Sequence, residues 1–208
     1  MKNRIQSSGL LALILAAGLF TTTFRVSGAA YSLSINESNP SAVIITGSGY
    51  NGYGTDGTTM ANYGVDLQNF FTAAVIIDDQ SASGTPSLKP ATGGDIYGLY
   101  ASDDYKATGG ALLDLNLYSS GTSAQTFTSG SATFNTGTEV IDLSAYLADL
   151  PTTVGAHGNI YAGDSSGPGN GTIIGSWDVI AVAPVPEPTT LALAGLSGLG
   201  LLLFRRRK

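Results

Sequence analysis

Cysteine is absent from the 208 residues and histidine occurs once, at His157. The first absence removes disulfide frameworks, thiolate metal sites and cysteine nucleophiles together, and the second removes most zinc chemistry. Positive charge is nearly missing from the middle of the chain. Of nine basic residues, Lys2, Arg4 and Arg25 lie near the start, Arg205, Arg206, Arg207 and Lys208 form the end, and only Lys89 and Lys106 stand between. Residues 31–184 set those two lysines against fourteen acids, a net charge of −12. Such a body repels phosphates and has no basic patch with which to release counterions, so nucleic acid is excluded as a partner. Its acids keep it soluble outside the cell or weakly collect divalent cations. Charged residues make up only 12% of the chain, whereas Gly 28, Ser 22 and Thr 22 are abundant. That composition suits turns and polar β surfaces, not the outer faces of helices.

The two ends read as targeting segments. Residues 1–30 have the form of a secretory signal peptide: Lys2 and Arg4 supply the positive start, and 10–20 are apolar but too short to span a bilayer. The small residues Ser27, Gly28, Ala29 and Ala30 then permit cleavage after Ala29 or Ala30, the latter preferred. At the other end, 189–204 is uncharged over 16 residues. As a helix it would rise about 24 Å, slightly short of the bilayer core, and the cations 205–208 would snorkel and stay on the cytoplasmic side. A single transmembrane helix with the body outside is the expectation. Immediately before it, Pro186, Glu187 and Pro188 hold an extended segment that neither helix nor sheet can absorb, a shape a processing enzyme can grip.

Taken in order, Val185-Pro186-Glu187-Pro188, the Gly-rich apolar segment and the terminal arginines resemble the PEP-CTERM sorting signal of Gram-negative bacteria. The resemblance covers 185–208 only. It implies delivery by the secretion machinery, a transient anchor, and an exosortase-like membrane enzyme that cuts near Pro186, Glu187 and Pro188, with Arg205, Arg206 and Arg207 as stop-transfer cations extended by Lys208. It also implies association with exopolysaccharide-producing, biofilm-forming cells. A tail of this kind is also named for certain ice-binding proteins, which says nothing of the body.

The body, 31–184, is long enough for one core. Its period is two: Tyr31, Leu33 and Ile35 alternate with serines, and Leu113, Leu115 and Leu117 with Asp114, Asn116 and Tyr118. Further strands are expected over 41–46, 73–77, 96–101, 126–128, 131–134, 160–162 and 173–182, separated by Gly, Ser, Asn and Asp clusters. Many short strands without βα alternation predict an all-β fold, an antiparallel β-sandwich of jelly-roll type. One short helix is expected over 144–150, capped by Ser144, with Tyr146, Leu147 and Leu150 sharing a face. No long repeat is visible. The stretches 47–59 and 163–172 read as surface loops.

Apparent catalytic motifs fail on context. Gly163-Asp164-Ser165-Ser166-Gly167 fits G-x-S-x-G, but the following PGNGT starts no helix, and the only base, His157, precedes the serine by eight residues. Gly47-Ser48-Gly49-Tyr50-Asn51-Gly52 fits G-x-G-x-x-G but runs on into a loop where a dinucleotide needs a helix N-terminus. Asp78-Asp79 and Asp103-Asp104 point to opposite faces within each pair, although acids can meet across strands as in a glycosidase. No cofactor is implied. Calcium suits oxygen-rich loops bearing Asp56, Asp78, Asp79, Asp103, Asp104 or Asp164, without a spacing that defines a metal site. Tyr50, Tyr53 and Tyr63 lie in or near polar loops where rings can stack on sugars, while Trp177 belongs to the core.

The reading is therefore a non-enzymatic, exported cell-surface or extracellular-matrix protein, transiently or permanently anchored in the inner membrane and linked to exopolysaccharide. The alternative is a surface carbohydrate-binding module. A secreted hydrolase using the Asp pairs or Ser165 and an ice-binding protein rank below these.

Overall fold

The computed structural model describes residues 31–50, 58–60, 64–103, 112–121, 123–128, 130–163 and 172–183. Twelve strands follow in chain order: β1 (Leu33–Asn36), β2 (Val43–Gly47), β3 (Thr58–Met60), β4 (Val65–Leu67), β5 (Gln80–Ser81), β6 (Thr92–Gly93), β7 (Leu99–Asp103), β8 (Asp114–Tyr118), β9 (Gln125–Phe127), β10 (Thr138–Ile141), β11 (His157–Ala162) and β12 (Ile173–Ala181). Two short 3₁₀ turns, Pro40–Ala42 and Ser144–Asp149, are the only helical elements among the described residues.

The all-β expectation holds, while the finer expectation of an antiparallel jelly-roll sandwich is not established by these strands. Nine lie in one sheet in the order β10-β2-β1-β12-β11-β4-β8-β7-β5, and β3-β9-β6 form a small second sheet. The large sheet nearly closes on itself. Beyond β5, Ser83 N–H donates to Val140 O and Ser87 N–H to Thr138 O, both at 2.7 Å, so one edge of the sheet reaches strand β10 at the other. Closure hides edges that would otherwise template association. One pairing is parallel: β1 lies beside β12, with Leu33 opposite Trp177 and Ile35 opposite Val179. The first and last strands of the body thus adjoin, a pairing that no hairpin turn can supply.

Alternation explains the inward faces. Leu33 and Ile35 of β1 face Val43 and Ile45 of β2 in a common core with Leu115, Leu117, Ile160, Ile174 and Val179. Trp177 is buried as expected and meets Phe70 edge-on at 5.5 Å. The small sheet joins through Phe127, whose ring lies 6.4 Å from that of Phe134. β8 departs from the one-buried-face pattern, because Asp114 and Asn116 are buried along with the leucines.

Several boundaries move. Residues 73–77 form no strand, although Val75 and Ile77 are buried; their amides donate to Leu112 O and Ser102 Oγ instead of joining a ladder. Stretch 131–134 contributes only a bridge between Phe134 and Pro90. Strands β3, β4, β5, β6 and β10 lie outside the expected strand ranges, and β3 begins within the stretch 47–59 expected as a surface loop. The expected helix is 3₁₀, and Ser144 does not cap it: its N–H and Oγ both donate to Asp142 Oδ1, and Leu147 is 48% exposed.

No helix among the described residues is long and apolar enough to cross a membrane. The expected signal peptide 1–30, spanning segment 189–204 and basic end 205–208 lie outside the described residues.

Candidate functional site

An open cleft of about 450 Å³ is lined by Tyr31, Gln68, Asn69, His157, Gly158, Asn159 and Ser176. Four regions distant in sequence build it. Antiparallel register places Asn159 of β11 opposite Ser176 of β12, and Gln68, just past β4, donates its amide to Asn159 O at 3.0 Å. Asn159 Nδ2 also donates to Gln68 Oε1 at 3.2 Å, locking the two amide side chains together. Tyr31 enters from the start of β1, which the parallel pairing sets beside β12. Its ring centroid lies 5.9 Å from that of His157, with the planes inclined at 44°.

The backbone around the cleft is tightly constrained. Asn69 is the one non-glycine residue with positive φ among the described residues, at 51°, and its N–H donates to the buried Asp114 Oδ1 at 2.6 Å. Asparagine tolerates this left-handed conformation better than most side chains. Gly158 lies directly over the core: a Cβ there would stand 2.7 Å from both Gln68 O and Trp177 Nε1. His157 Nδ1 is 2.9 Å from Gly155 O, so a backbone carbonyl orients the ring. A catalytic histidine in a serine triad is instead held at that nitrogen by a carboxylate.

Among the described residues, the lining carries no lysine, arginine or carboxylate. Charge sits elsewhere, inside the fold. Glu139 of β10 points inward opposite Ile45 and is fully buried; Glu37, just beyond β1, is 1% exposed. Among the described residues neither carboxyl has a hydrogen-bond partner, and burial pushes each pKa up to about 8. Burial, with the charge of Glu139 adding to it, also raises the Tyr97 hydroxyl, which donates to Gln125 Oε1 at 2.8 Å. On the surface, the Ser144 hydroxyl and amide hold Asp142 below the usual carboxylate range.

Of the sequence-derived candidates, Tyr50 is half-buried in the loop after β2, its N–H donating to Ser48 Oγ, and it does not line the cleft. Tyr53 and Tyr63 lie outside the described residues, as do Asp56, Asp104, Ser165, Pro186, Glu187, Pro188, Arg205, Arg206, Arg207 and Lys208. Asp78 and Asp79 are exposed, and Asp103 stands opposite Asp114 across β7 and β8. Among the described residues no group of three His, Asp or Glu side chains is placed to hold a metal ion. Sequence reasoning missed Tyr31, Gln68, Asn69 and Asn159. Tyr31 reads there as the start of an alternating strand, and nothing local links it to an amide pair.

Residues 184–208 match the PEP-CTERM protein-sorting motif. This is the motif of exported, envelope-associated proteins sorted by exosortase, a membrane processing enzyme. It spans Pro186, Glu187, Pro188 and the terminal cations. No curated protein and no solved structure matches the chain. The sorting motif thus accounts for the tail, and the body is read from its own geometry.

Proposed function

We propose that the chain is a non-enzymatic surface or matrix protein of a Gram-negative envelope, whose β body is the cargo and whose tail is the delivery device. The carrying observation is the sorting motif at 184–208, following the last strand of the body by very few residues. In this reading 189–204 spans the inner membrane as a helix, the cations 205–208 hold it on the cytoplasmic side, and exosortase cuts near Pro186, Glu187 and Pro188. The released body then joins the exopolysaccharide layer. The orientation of His157 by a carbonyl and the absence of acids from the cleft lining support a role without catalysis.

Intact mass of the protein recovered from the host's envelope and medium tests the reading. A mature chain ending between Val185 and Pro188 is expected. A chain retaining Arg205–Lys208 in every fraction would instead make it a permanent membrane protein. Deleting 186–208 should release the body in soluble form; unchanged surface retention of that truncation counts against sorting by the tail.

A second reading, a carbohydrate-binding module, is favoured by a specific observation: an uncharged aromatic and amide-lined cleft on the body.

A further inference from the structure

We propose that the cleft between Tyr31 and His157 is a binding site for a neutral saccharide. It gives the surface role above a ligand, and rests on that reading only for where the ligand is met. The chemistry of the lining selects the class. A pyranose offers a weakly apolar C–H face and a rim of hydroxyls that both donate and accept. Two inclined rings, Tyr31 and His157 at 5.9 Å, form a wall for the C–H face. Gln68, Asn69 and Asn159 supply amides, each of which also donates and accepts. The bond from Asn159 Nδ2 to Gln68 Oε1 leaves Asn159 Oδ1 and Gln68 Nε2 as a neighbouring acceptor and donor, preorganised as a hydroxyl requires.

Charge argues the rest. An anionic ligand would find no cation in the lining, and it would approach a body of net charge −12. A cationic ligand would find no carboxylate there. The volume of about 450 Å³ lies within the range of small-molecule sites, roughly 300–1,000 Å³, and the open side lets a chain continue past it. Placement agrees as well. Ser176 precedes Ala181, the end of β12, by five residues, or about 17 Å of strand, so the cleft is set back from the point where the body leads to the tail.

The test presents the protein as exported and processed by its host to an array of neutral oligosaccharides of glucose, galactose, mannose and N-acetylglucosamine beside uronic-acid oligosaccharides. At least one neutral chain should bind. Tyr31→Ala and His157→Ala should each weaken it by about tenfold or more, while Tyr31→Phe and Tyr50→Ala stay within about twofold. His157 is exposed, so its truncation keeps the test decisive even where Tyr31→Ala misfolds. No binding to any neutral chain, preference for the acidic chains, or undiminished binding by His157→Ala would overturn the proposal. A correctly exported and processed protein that binds no glycan would sink this inference alone and leave the sorting reading standing.

Discussion

The interior of the barrel-like sheet and the cleft on its surface invert the usual distribution of charge. Inside, Glu37 and Glu139 are buried without hydrogen-bond partners. Outside, a cleft on a strongly acidic body is lined, among the described residues, by amides, rings and a hydroxyl, with no carboxylate, lysine or arginine. A lone carboxyl in an apolar interior avoids the cost of an unpaired charge by keeping its proton, which couples stability to pH. A surface cleft without charge keeps its recognition independent of salt. The difference teaches that the acids of this chain are not one population: among the described residues Asp78, Asp79 and Asp142 are exposed, Asp66, Asp114 and Asp178 are buried, and Glu37 and Glu139 tie the fold to a protonation state.

The largest expected effect breaks the interior side of that comparison. Glu37 and Glu139 have folded pKa values of about 8 against an ordinary 4.5, so between those values the folded state binds more protons than the unfolded chain. Stability is therefore full below pH 4.5 and falls as pH rises toward 8, by about 1.4 kcal/mol per unit and per group. Denaturant midpoints should drop by several kcal/mol equivalent between pH 5 and pH 8; a flat profile would show that both carboxyls find water or a partner. Glu139→Leu, close in volume and apolar, should remove about half of that slope and stabilise the protein by roughly 2 kcal/mol at pH 8. Thermal melts of the variant at pH 5 and pH 8 read this directly, and equal slopes for variant and parent would clear Glu139 of the role.

A change at the boundary of the two regions should cost less. Gly158→Ala forces a methyl to 2.7 Å from Gln68 O and Trp177 Nε1, for about 1–3 kcal/mol of lost stability. Gly84→Ala, at φ 71° with open space around it, is the comparison: it carries only the cost of the backbone conformation, about 1 kcal/mol. Similar losses for the two would mean that strand β11 shifts to admit the methyl. Smallest for stability, and sharpest for the cleft, is Asn159→Asp. It should move the melting midpoint by no more than about 0.5 kcal/mol equivalent while weakening binding of a neutral oligosaccharide severalfold, because a donor becomes a charged acceptor beside Gln68 Oε1.

Much of the fold was legible because a half-buried strand writes a period of two into the chain. Leu33 and Ile35, the leucines of β8 and the buried Trp177 of β12 all followed from it. The exceptions have identifiable causes. Val75 and Ile77 are apolar and spaced like a strand, yet their amides bond to Leu112 O and a serine hydroxyl, and burial of alternate side chains does not require a ladder. Strand β10 contains Glu139, which hydropathy assigns to the solvent face and closure of the sheet turns inward. A helical period puts Leu147 on one face with Tyr146 and Leu150, but a 3₁₀ turn repeats every three residues and leaves Leu147 in solvent while Leu150 is buried.

The candidate site divides along the same line. The sequence pointed to tyrosines in polar loops as rings for a ligand; Tyr50 lies outside the cleft, and Tyr31, read as strand alternation, lines it. Its partners stand 37, 38, 126, 128 and 145 residues further on, at Gln68, Asn69, His157, Asn159 and Ser176.

By itself the sequence determined the sorting tail, the absence of thiols, the acidic body and the β character, because each of these is a local property of composition, charge order or short period. Only the tertiary structure decided that the first strand runs parallel to the last, that the sheet nearly closes, that Glu139 faces inward and that Tyr31 meets His157. Those outcomes depend on which buried faces satisfy one another across the whole chain. Strand pairing is decided by summed burial and hydrogen bonding between residues far apart in sequence, and no local window contains that sum.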